Sequence, residues 1–593
     1  MKTASKMLSL LLAAAMLFCV GCAKNNGQGG SLTQPTPTYR AASTADTQTF
    51  TELDRDFFVN YVTSDAVTYH LWLKHPEAFN ITEEPEGLGA MTKEANNEWL
   101  CECETYLERL KGINRENLNE CDKLSYDVIE RFIEDQLSER DFYYYYEPFT
   151  PYVGTQSNLP LTFAFYELDS LKSVESYFGI LRDTVRFFGE LEEFERQKSA
   201  AGLFMSDIAC DNIISDCKTF TESGENCFLI TGFRERIDKI DDLSDTKKDE
   251  LEEQNKDLVL NCVMKAYDGL ITCMEELKGT GKNLGGLCEY ENGLEYFEHE
   301  VRIASCGNLS IEEAKRLLEK EIKNQYFKIY TAIRKDPLII EKFDEAEFSF
   351  GTVEENIEFL KRTISEDYPE LPEHEISFFD APKELEDQIS PASYLIPPID
   401  DAYNNLIMLN QKSVEEGGDL LMKLAHEGYP GHMYQYVYQR SMAQLGLFRR
   451  IMSLTAYYEG WSQYSEDYIY EHLESGRDVG MIASANTILS GVLLPAMISI
   501  GVNAEGWSKA DIMNYLKDYG LDYDDYAEYY YNISVAIPTY TLDYALGYAG
   551  FYDIYNAYRE KMGKKFSLRE FHEKYLNIGP AYFDMIKERL IGE

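Results

Sequence analysis

The chain has 593 residues, of which 44% are hydrophobic and 27% charged, so it carries ample apolar material to bury a core. Its formal net charge of -47, from 103 acidic and 56 basic side chains, opposes binding to a phosphate backbone or to an anionic membrane surface. We therefore predict a globular protein with a solvated acidic surface that does not bind nucleic acid.

The N-terminus has the pattern of an export signal. Lys2 and Lys6 precede the apolar run MLSLLLAAAMLFCVGC, which is too short to span a bilayer comfortably. The end of this run resembles a bacterial lipobox, although Cys19 stands where leucine is usual. The resemblance implies a signal peptide over residues 1–22, a lipid on Cys22 and a flexible polar tether over 23–45. We predict an exported, membrane-anchored lipoprotein that contacts the membrane only through this lipid.

The cysteines cluster in the N-terminal half. Ten of the twelve lie between Cys101 and Cys306, and none follows. Export permits disulfides without requiring them, and these spacings do not fix a pairing. Cys101 and Cys103 form a C-x-C pattern, which is weak support for a metal site without a second cysteine or histidine cluster. We predict no catalytic role for cysteine.

The remainder of the chain, 46–593, is predicted to be one mainly α-helical domain with few short strands. Its N-terminal part covers about 46–385 and its C-terminal part, which holds the metal-site motifs described below, about 386–593. Capping-box spacing, followed by apolar residues at helical intervals, occurs at Ser310 with Glu313.

Three later segments have patterns of their own. ASYLIPPIDD, from 392 to 401, is predicted to be extended because its two prolines exclude a helix. MIASANTILSGVLLPAMISIGV is the longest apolar stretch after the signal, but Asn486 and Pro495 favour a core helix bent at the proline over a membrane span. Ser508 with Asp511 begins another capped helix, which is predicted to stop at Gly520.

The heptapeptide HEGYPGH begins at His426 and places Glu427 and His432 close to it. Zinc hydrolases need three protein ligands, an open position for water and a carboxylate that takes the water's proton. In an H-E-x-x-H helix the two histidines are four residues apart on one face. Here they are six apart, about 240° round a regular helix. Pro430 breaks the helical ladder and Gly431 permits a tight bend, so a looped-out segment can return the second histidine to the first.

The third ligand is predicted to lie in YYEGWSQYSEDY. Glu459 is 32 residues after Glu427, and Gln463 and Glu466 follow at i+4 and i+7 on the same helical face. We predict Glu459 as the ligand, with Glu466 or Gln463 supporting a ligand histidine. The alternative is an amphipathic helix whose acidic side chains face solvent.

These motifs closely resemble those of the bacterial zincin-like family catalogued as domain of unknown function 885. The family signature reads H-E-x-x-P-G-H-x-x-Q and then E-G-W-x-x-Y-x-E. PASYLIPPIDDAYNNLIMLNQ is similar to the family's Tyr-x-x-Pro-Pro segment that leads to an asparagine, and GWSKADIMNYL, PTYTLDYALGY and GKKFSLREFHEKYLNIGP resemble three further family blocks. The likeness covers most of the chain from about residue 50 and is strongest after 390.

The resemblance implies a mostly helical zincin-like metallopeptidase fold with a deep cleft, similar to metallocarboxypeptidases and oligopeptidases. Carried over to this chain, His426, His432 and Glu459 bind one Zn2+ per chain, and Glu427 is the general base. Two imidazoles and one carboxylate also favour zinc among divalent ions on chemical grounds.

The resemblance also implies roles for residues near the C-terminus. Tyr544 occupies the position of the family's tyrosine before glycine and would donate a hydrogen bond to the oxyanion; Tyr548 is a rival, and either could be a packing residue. His572 lies in the family's F-H segment, where it has a structural or a substrate-side role. YNIS, before these residues, lacks an arginine that members often carry, so the specificity differs here if that arginine holds a substrate carboxylate.

We hypothesise a zinc-dependent peptidase, exopeptidase- or carboxypeptidase-like, that hydrolyses small peptides outside the cytoplasm. Two alternatives are a non-catalytic zinc-containing surface lipoprotein that binds peptides or cell-wall fragments, and an amidase acting on cell-wall peptides. A binder needs ligands but no general base between them, so Glu427 favours an enzyme. No motif identifies a group that holds a substrate terminus, so the sequence leaves open the end from which cleavage starts, and also the oligomeric state.

Overall fold

A computed structural model describes residues 45–592 except 283, 284, 345, 347, 349, 382–385, 387–389, 416–419, 474, 475 and 521–523. The predicted signal peptide, the lipidation site Cys22 and all but the last residue of the predicted tether lie outside these residues. Helix accounts for 71% of the structure and strand for 3%, so the predicted mainly α class is confirmed.

The helices follow one another through short turns. The α-helices span Ala45–Val62, Ala66–Trp72, Lys93–Lys111, Glu120–Ser138, Thr155–Phe165, Leu171–Ala200, Asp207–Glu222, Phe228–Thr231, Phe233–Asp238, Asp245–Leu258, Met264–Leu277, Gly293–Ala304, Ile311–Lys335, Ile339–Asp344, Val353–Ile364, Gln411–Glu415, Leu420–Glu427, His432–Arg440, Leu447–Ile451, Thr455–Glu471, Arg477–Ile488, Leu494–Glu505, Lys509–Asp518, Asp524–Ala536, Leu542–Met562, Leu568–Ile578 and Phe583–Ile591. Shorter 3-10 turns span Pro76–Phe79, Arg115–Asn117, Arg140–Tyr145, Gly224–Asn226, Leu287–Glu289 and Gly563–Lys565, and π-helical turns span Val259–Val263 and Leu489–Leu493.

Both predicted capping boxes are present. The Ser310 hydroxyl accepts from the Glu313 backbone N–H at 3.3 Å, and the Glu313 carboxylate accepts from the Ser310 N–H at 3.0 Å. Ser508 and Asp511 repeat the arrangement, and their helix ends at Asp518, two residues before Gly520 with its φ of +74°. The pairs satisfy backbone donors that a helix start otherwise leaves free.

The long apolar segment is a core helix, as predicted. Among the described residues, Arg477–Glu505 alone is long and apolar enough to cross a membrane by length and composition, but 72% of its most apolar window is buried inside the protein. Its regular winding is interrupted by the π-helical turn Leu489–Leu493, which ends two residues before Pro495. This turn accommodates the proline, which has no N–H to donate.

A three-stranded sheet supports the C-terminal part. Strands β1 (Glu375–Asp380), β2 (Ala392–Leu395) and β3 (Asn404–Leu409) are arranged in the order β1-β3-β2, with β1 parallel and β2 antiparallel to β3. Strand β2 falls inside the segment predicted to be extended. It lies at one edge of the sheet, beside the helix Leu420–Glu427.

The two halves of the chain share one apolar core. Phe57, on the first helix, packs against Phe448 with ring centroids 4.6 Å apart, and both rings are buried. Free thiols are part of the interior, because these cysteines are buried and unpaired: Cys103, Cys210, Cys217, Cys227, Cys273 and Cys306. The N-terminal helices therefore hold the C-terminal part in place through packing.

Candidate metal centre

The segment after His426 leaves the helix and returns. After the helix Leu420–Glu427 ends, two successive N–H groups donate hydrogen bonds to the same carbonyl oxygen. Gly428 and Tyr429 donate to Leu424 O at 2.9 and 3.1 Å. A new helix begins at His432. The intervening turn brings the two histidine rings to a centroid distance of 4.8 Å, with their planes nearly perpendicular at 87°.

Gly431 and Trp461 fix this turn. A Cβ atom on Gly431 would lie 1.7 Å from the carbonyl oxygen of His426, so no side chain fits there. The Gly431 N–H donates to Ala425 O at 2.9 Å. The fully buried Trp461 donates its indole N–H to Pro430 O at 2.7 Å, which ties the turn to the helix Thr455–Glu471.

Glu459, on that helix, lies between the two histidines. Its Oε2 is 3.4 Å from His426 Nε2, and its Oε1 is 3.6 Å from His432 Nε2. Ligand atoms of the three residues all lie within 4.8 Å of one another. Donors about 2.1 Å from a tetrahedral zinc ion are about 3.4 Å apart, which is close to the two distances from Glu459 to the histidines. The buried Oε2 of Glu459 accepts no hydrogen bond from the described residues, which leaves it available to a cation.

Glu466 orients the first histidine. Its Oε1 is 2.7 Å from His426 Nδ1, so Nε2 is directed towards Glu459. Burial lowers the pKa of His426, but the Glu459 and Glu466 carboxylates outweigh it and raise the pKa to about 10. For Glu459 the signs are reversed. Burial raises the pKa of this carboxyl group, but His432 and His426 outweigh burial and lower the pKa to about 2. The carboxylates of Glu459 and Glu466 thus favour positive charge at this position.

Glu427 is held apart from the ligand atoms. Its Oε2 accepts a 2.8 Å hydrogen bond from the backbone N–H of Tyr394 in strand β2. The residue is half-buried. A carboxylate anchored at one oxygen beside a metal ion is suited to accept a proton from water.

Tyr544 approaches Glu459 from the helix Leu542–Met562. The Glu459 carboxylate raises the pKa of Tyr544 well above its ordinary value, with further contributions from burial and from Glu427. The hydroxyl is therefore a proton donor at neutral pH. The residue is 40% exposed, although it lies beside the buried carboxylate of Glu459.

Two glycines allow this approach. A Cβ on Gly460 would lie 2.3 Å from Gly547 O, and a Cβ on Gly547 would lie 2.4 Å from Ala456 O. The helices Thr455–Glu471 and Leu542–Met562 thus touch backbone to backbone. This close contact places Tyr544 within reach of Glu459.

Gly547→Ala is expected to destabilise the protein by about 1–3 kcal/mol, because the added methyl group must push the two helices apart. Chemical unfolding measures the change. The matched control is Gly189→Ala, also within a helix, where a Cβ meets no atom within 4 Å; there alanine should stabilise by about 0.5–1 kcal/mol. Equal effects of the two substitutions would contradict the close contact.

The other predicted site residues lie outside the group formed by His426, His432 and Glu459. The Tyr548 hydroxyl is fully buried and donates to Asp467 Oδ2 at 2.6 Å. His572 is fully buried, with Nε2 2.7 Å from the Tyr464 hydroxyl and Nδ1 2.7 Å from a backbone carbonyl, and burial lowers its pKa to about 3. Of the two roles predicted for His572, this buried placement favours the structural one. Gln463 is buried with its Oε1 unbonded to described residues, so support for a ligand histidine comes from Glu466.

Sequence reasoning missed the Tyr394 N–H, Trp461 and Asp467. The first is a backbone group and leaves no signal in the residue type. Trp461 and Asp467 both lie in YYEGWSQYSEDY, where the spacing pointed to Glu459, Gln463 and Glu466 instead.

Comparison with known proteins supports the family resemblance. The family described as "Bacterial protein of unknown function (DUF885)" matches residues 80–590. A crystal structure from Colwellia psychrerythraea, provisionally described as a lipoprotein, is 17% identical and has a TM-score of 0.79 over 92% of this chain and 97% of that one. A Shewanella oneidensis protein, provisionally described as a lipoprotein of unknown function, is 16% identical with a TM-score of 0.61 over 93% of this chain and 100% of its own. A search of curated proteins found no match. Since the family covers most of the chain, this protein belongs to the bacterial family DUF885.

Proposed function

We propose that this protein is a zinc-dependent peptidase of zincin-like fold that hydrolyses small peptides outside the cytoplasm. The observation that carries the proposal is the convergence of His426, His432 and Glu459 with a fourth residue, Glu427, whose carboxylate is anchored elsewhere. A site that only binds metal has no need of this additional carboxylate. The structural neighbours, provisionally described as lipoproteins, support export and lipid anchoring through Cys22.

The chain's own residues divide the reaction between them. When bound, zinc supplies Lewis acidity to the scissile carbonyl and to the attacking water. Glu427 accepts a proton from that water and delivers it to the leaving amine. Tyr544 donates a hydrogen bond to the oxygen on which negative charge develops. Glu466 keeps His426 turned so that Nε2 faces the metal position.

Metal analysis combined with a peptide screen tests this proposal. We expect one zinc per chain in the purified protein, and hydrolysis of short peptides that stops when a chelator removes the metal. Protein that binds zinc but cleaves no member of a broad peptide library would instead support the non-catalytic surface lipoprotein. Cleavage confined to cell-wall peptides would support the amidase.

Tyr544→Phe is expected to lower kcat by about 10²–10³-fold while KM changes little, because the lost hydroxyl acts on the transition state rather than on bound substrate. Steady-state kinetics on a peptide identified by the screen measure both constants. The control is Tyr330→Phe, the same change on a tyrosine that is 56% exposed on the helix Ile311–Lys335. An unchanged kcat in Tyr544→Phe would remove this tyrosine from the mechanism.

A further inference from the structure

A second polar cluster lies further along the two helices that carry Glu459 and Tyr544. Asp467, only 2% exposed, accepts hydrogen bonds from the hydroxyls of Tyr548 at 2.6 Å, Tyr552 at 2.7 Å and Ser484. The ammonium group of Lys328 is 3.7 Å from the same carboxylate. We call these five residues the Asp467 cluster.

Both oxygens of Asp467 and both tyrosine hydroxyls of the cluster are hydrogen-bonded, and the direction of these bonds is defined. Gln325 donates to the Tyr548 hydroxyl at 2.8 Å, so this hydroxyl both receives and donates a bond. Burial and Asp467 raise the pKa values of Tyr548 and Tyr552 well above their ordinary range, which keeps both phenols protonated as donors. A buried network whose members are all paired fixes one arrangement of the elements that contribute to it.

The cluster joins the same two helices that carry the reacting groups. The helices Thr455–Glu471 and Leu542–Met562 run in the same direction. Gly460 of the first helix contacts Gly547 of the second, and Asp467, further along the first helix, contacts Tyr552, further along the second. Tyr548 follows Tyr544 by one helical turn on its own helix. The cluster therefore limits sliding and rotation of one helix on the other, within about 12 Å of the contact between Tyr544 and Glu459.

We propose that the Asp467 cluster positions Tyr544 for catalysis, with Tyr548 and Tyr552 as positioning residues that act through Tyr544. The inference rests on the proposed peptidase function. The glycine contact sets how close the two helices lie, and the hydrogen bonds from Tyr548 and Tyr552 to Asp467 help to fix their register. A hydroxyl that must meet a developing charge tolerates little displacement, since an error near 1 Å costs about 10²-fold in rate. Tyr548, considered above as an alternative oxyanion donor, thus contributes through its neighbour one turn earlier.

A double-mutant cycle between Tyr548→Phe and Tyr544→Phe tests this role. Alone, Tyr548→Phe is expected to lower kcat by about 10–100-fold, with zinc content and KM nearly unchanged. In the Tyr544→Phe background the same substitution should change kcat by less than about twofold, because the residue through which it acts no longer has its hydroxyl. Tyr552→Phe, which removes one bond to the same carboxylate, gives a second cycle if Tyr548→Phe folds poorly.

The control is Tyr555→Phe, a half-buried tyrosine on the same helix whose ring packs against Phe566 and Phe571. It should leave kcat unchanged in both backgrounds. Multiplicative losses of kcat for Tyr548→Phe and Tyr544→Phe would overturn the positioning role and leave the cluster a purely structural one. A zinc-loaded wild-type protein that cleaves no peptide would overturn the proposed function instead, and the inference with it.

Discussion

Glu427→Gln should leave zinc bound and lower kcat for peptide hydrolysis by about 10³-fold, because an amide cannot accept the proton of the attacking water. The amide oxygen can still accept the N–H of Tyr394, whose bond to Glu427 is 2.8 Å long, so the backbone around the site is expected to stay in place. The substitution therefore removes the proton acceptor while it keeps the backbone around the site. Zinc analysis and steady-state kinetics on the same preparation measure the two effects.

The control for Glu427 is Glu298→Gln, the same change at an exposed position on the helix Gly293–Ala304. It removes one negative charge without touching the site and should leave kcat unaltered. If Glu427→Gln retained full activity on a cleaved peptide, the general-base mechanism would be wrong, whatever the metal content.

His432→Ala and Glu459→Ala are each expected to lose the zinc ion and, with it, all measurable hydrolysis. Each substitution leaves two of three protein ligands, and a catalytic zinc site is built on three. Removal of Glu459 also leaves His426 and His432 facing each other without the carboxylate that lies 3.4 and 3.6 Å from them. Elemental analysis after dialysis against zinc measures the loss, and circular dichroism verifies the fold.

Two further substitutions serve as controls for the metal-ligand experiment. His75→Ala removes a half-exposed histidine remote in sequence from the motif and should retain one zinc. Glu466→Ala removes the partner of His426 Nδ1 but no ligand, so zinc should bind with affinity reduced by about 10–100-fold. Undiminished zinc in both His432→Ala and Glu459→Ala would refute the assignment of the metal centre.

The sequence predicted the residues of the centre better than their surroundings. The return of His432 to His426 followed from the chemistry of Pro430 and Gly431, which act locally and can be read from residue type. The position of Glu459 followed from helical spacing. These signals are short-range, and the structure brings the three residues together.

The features of the site that the sequence did not predict depend on tertiary contacts. Tyr544 and Tyr548 differ by one helical turn, and only the position of the neighbouring helix decides that the first faces Glu459 and the second Asp467. The anchoring of Glu427 on Tyr394 depends on the pairing of strand β2, which brings a backbone N–H to the helix end. Neither relation is encoded in the spacing of residue types along one element.

The predicted metal ligands lie close together in the sequence, whereas the predicted proton donor, Tyr544, lies far from them. His426, His432 and Glu459 lie within residues 426–459, whereas Tyr544 lies a much longer stretch further on, so less chain entropy is lost in bringing the first three together. The contact of Tyr544 with Glu459 depends on the Gly460–Gly547 packing. Fraying of the C-terminal helices would therefore disconnect the phenol before it disturbed the metal ligands. If the proposed function holds, a partly unfolded form of this chain would keep its three predicted metal ligands together after it had lost the predicted proton donor.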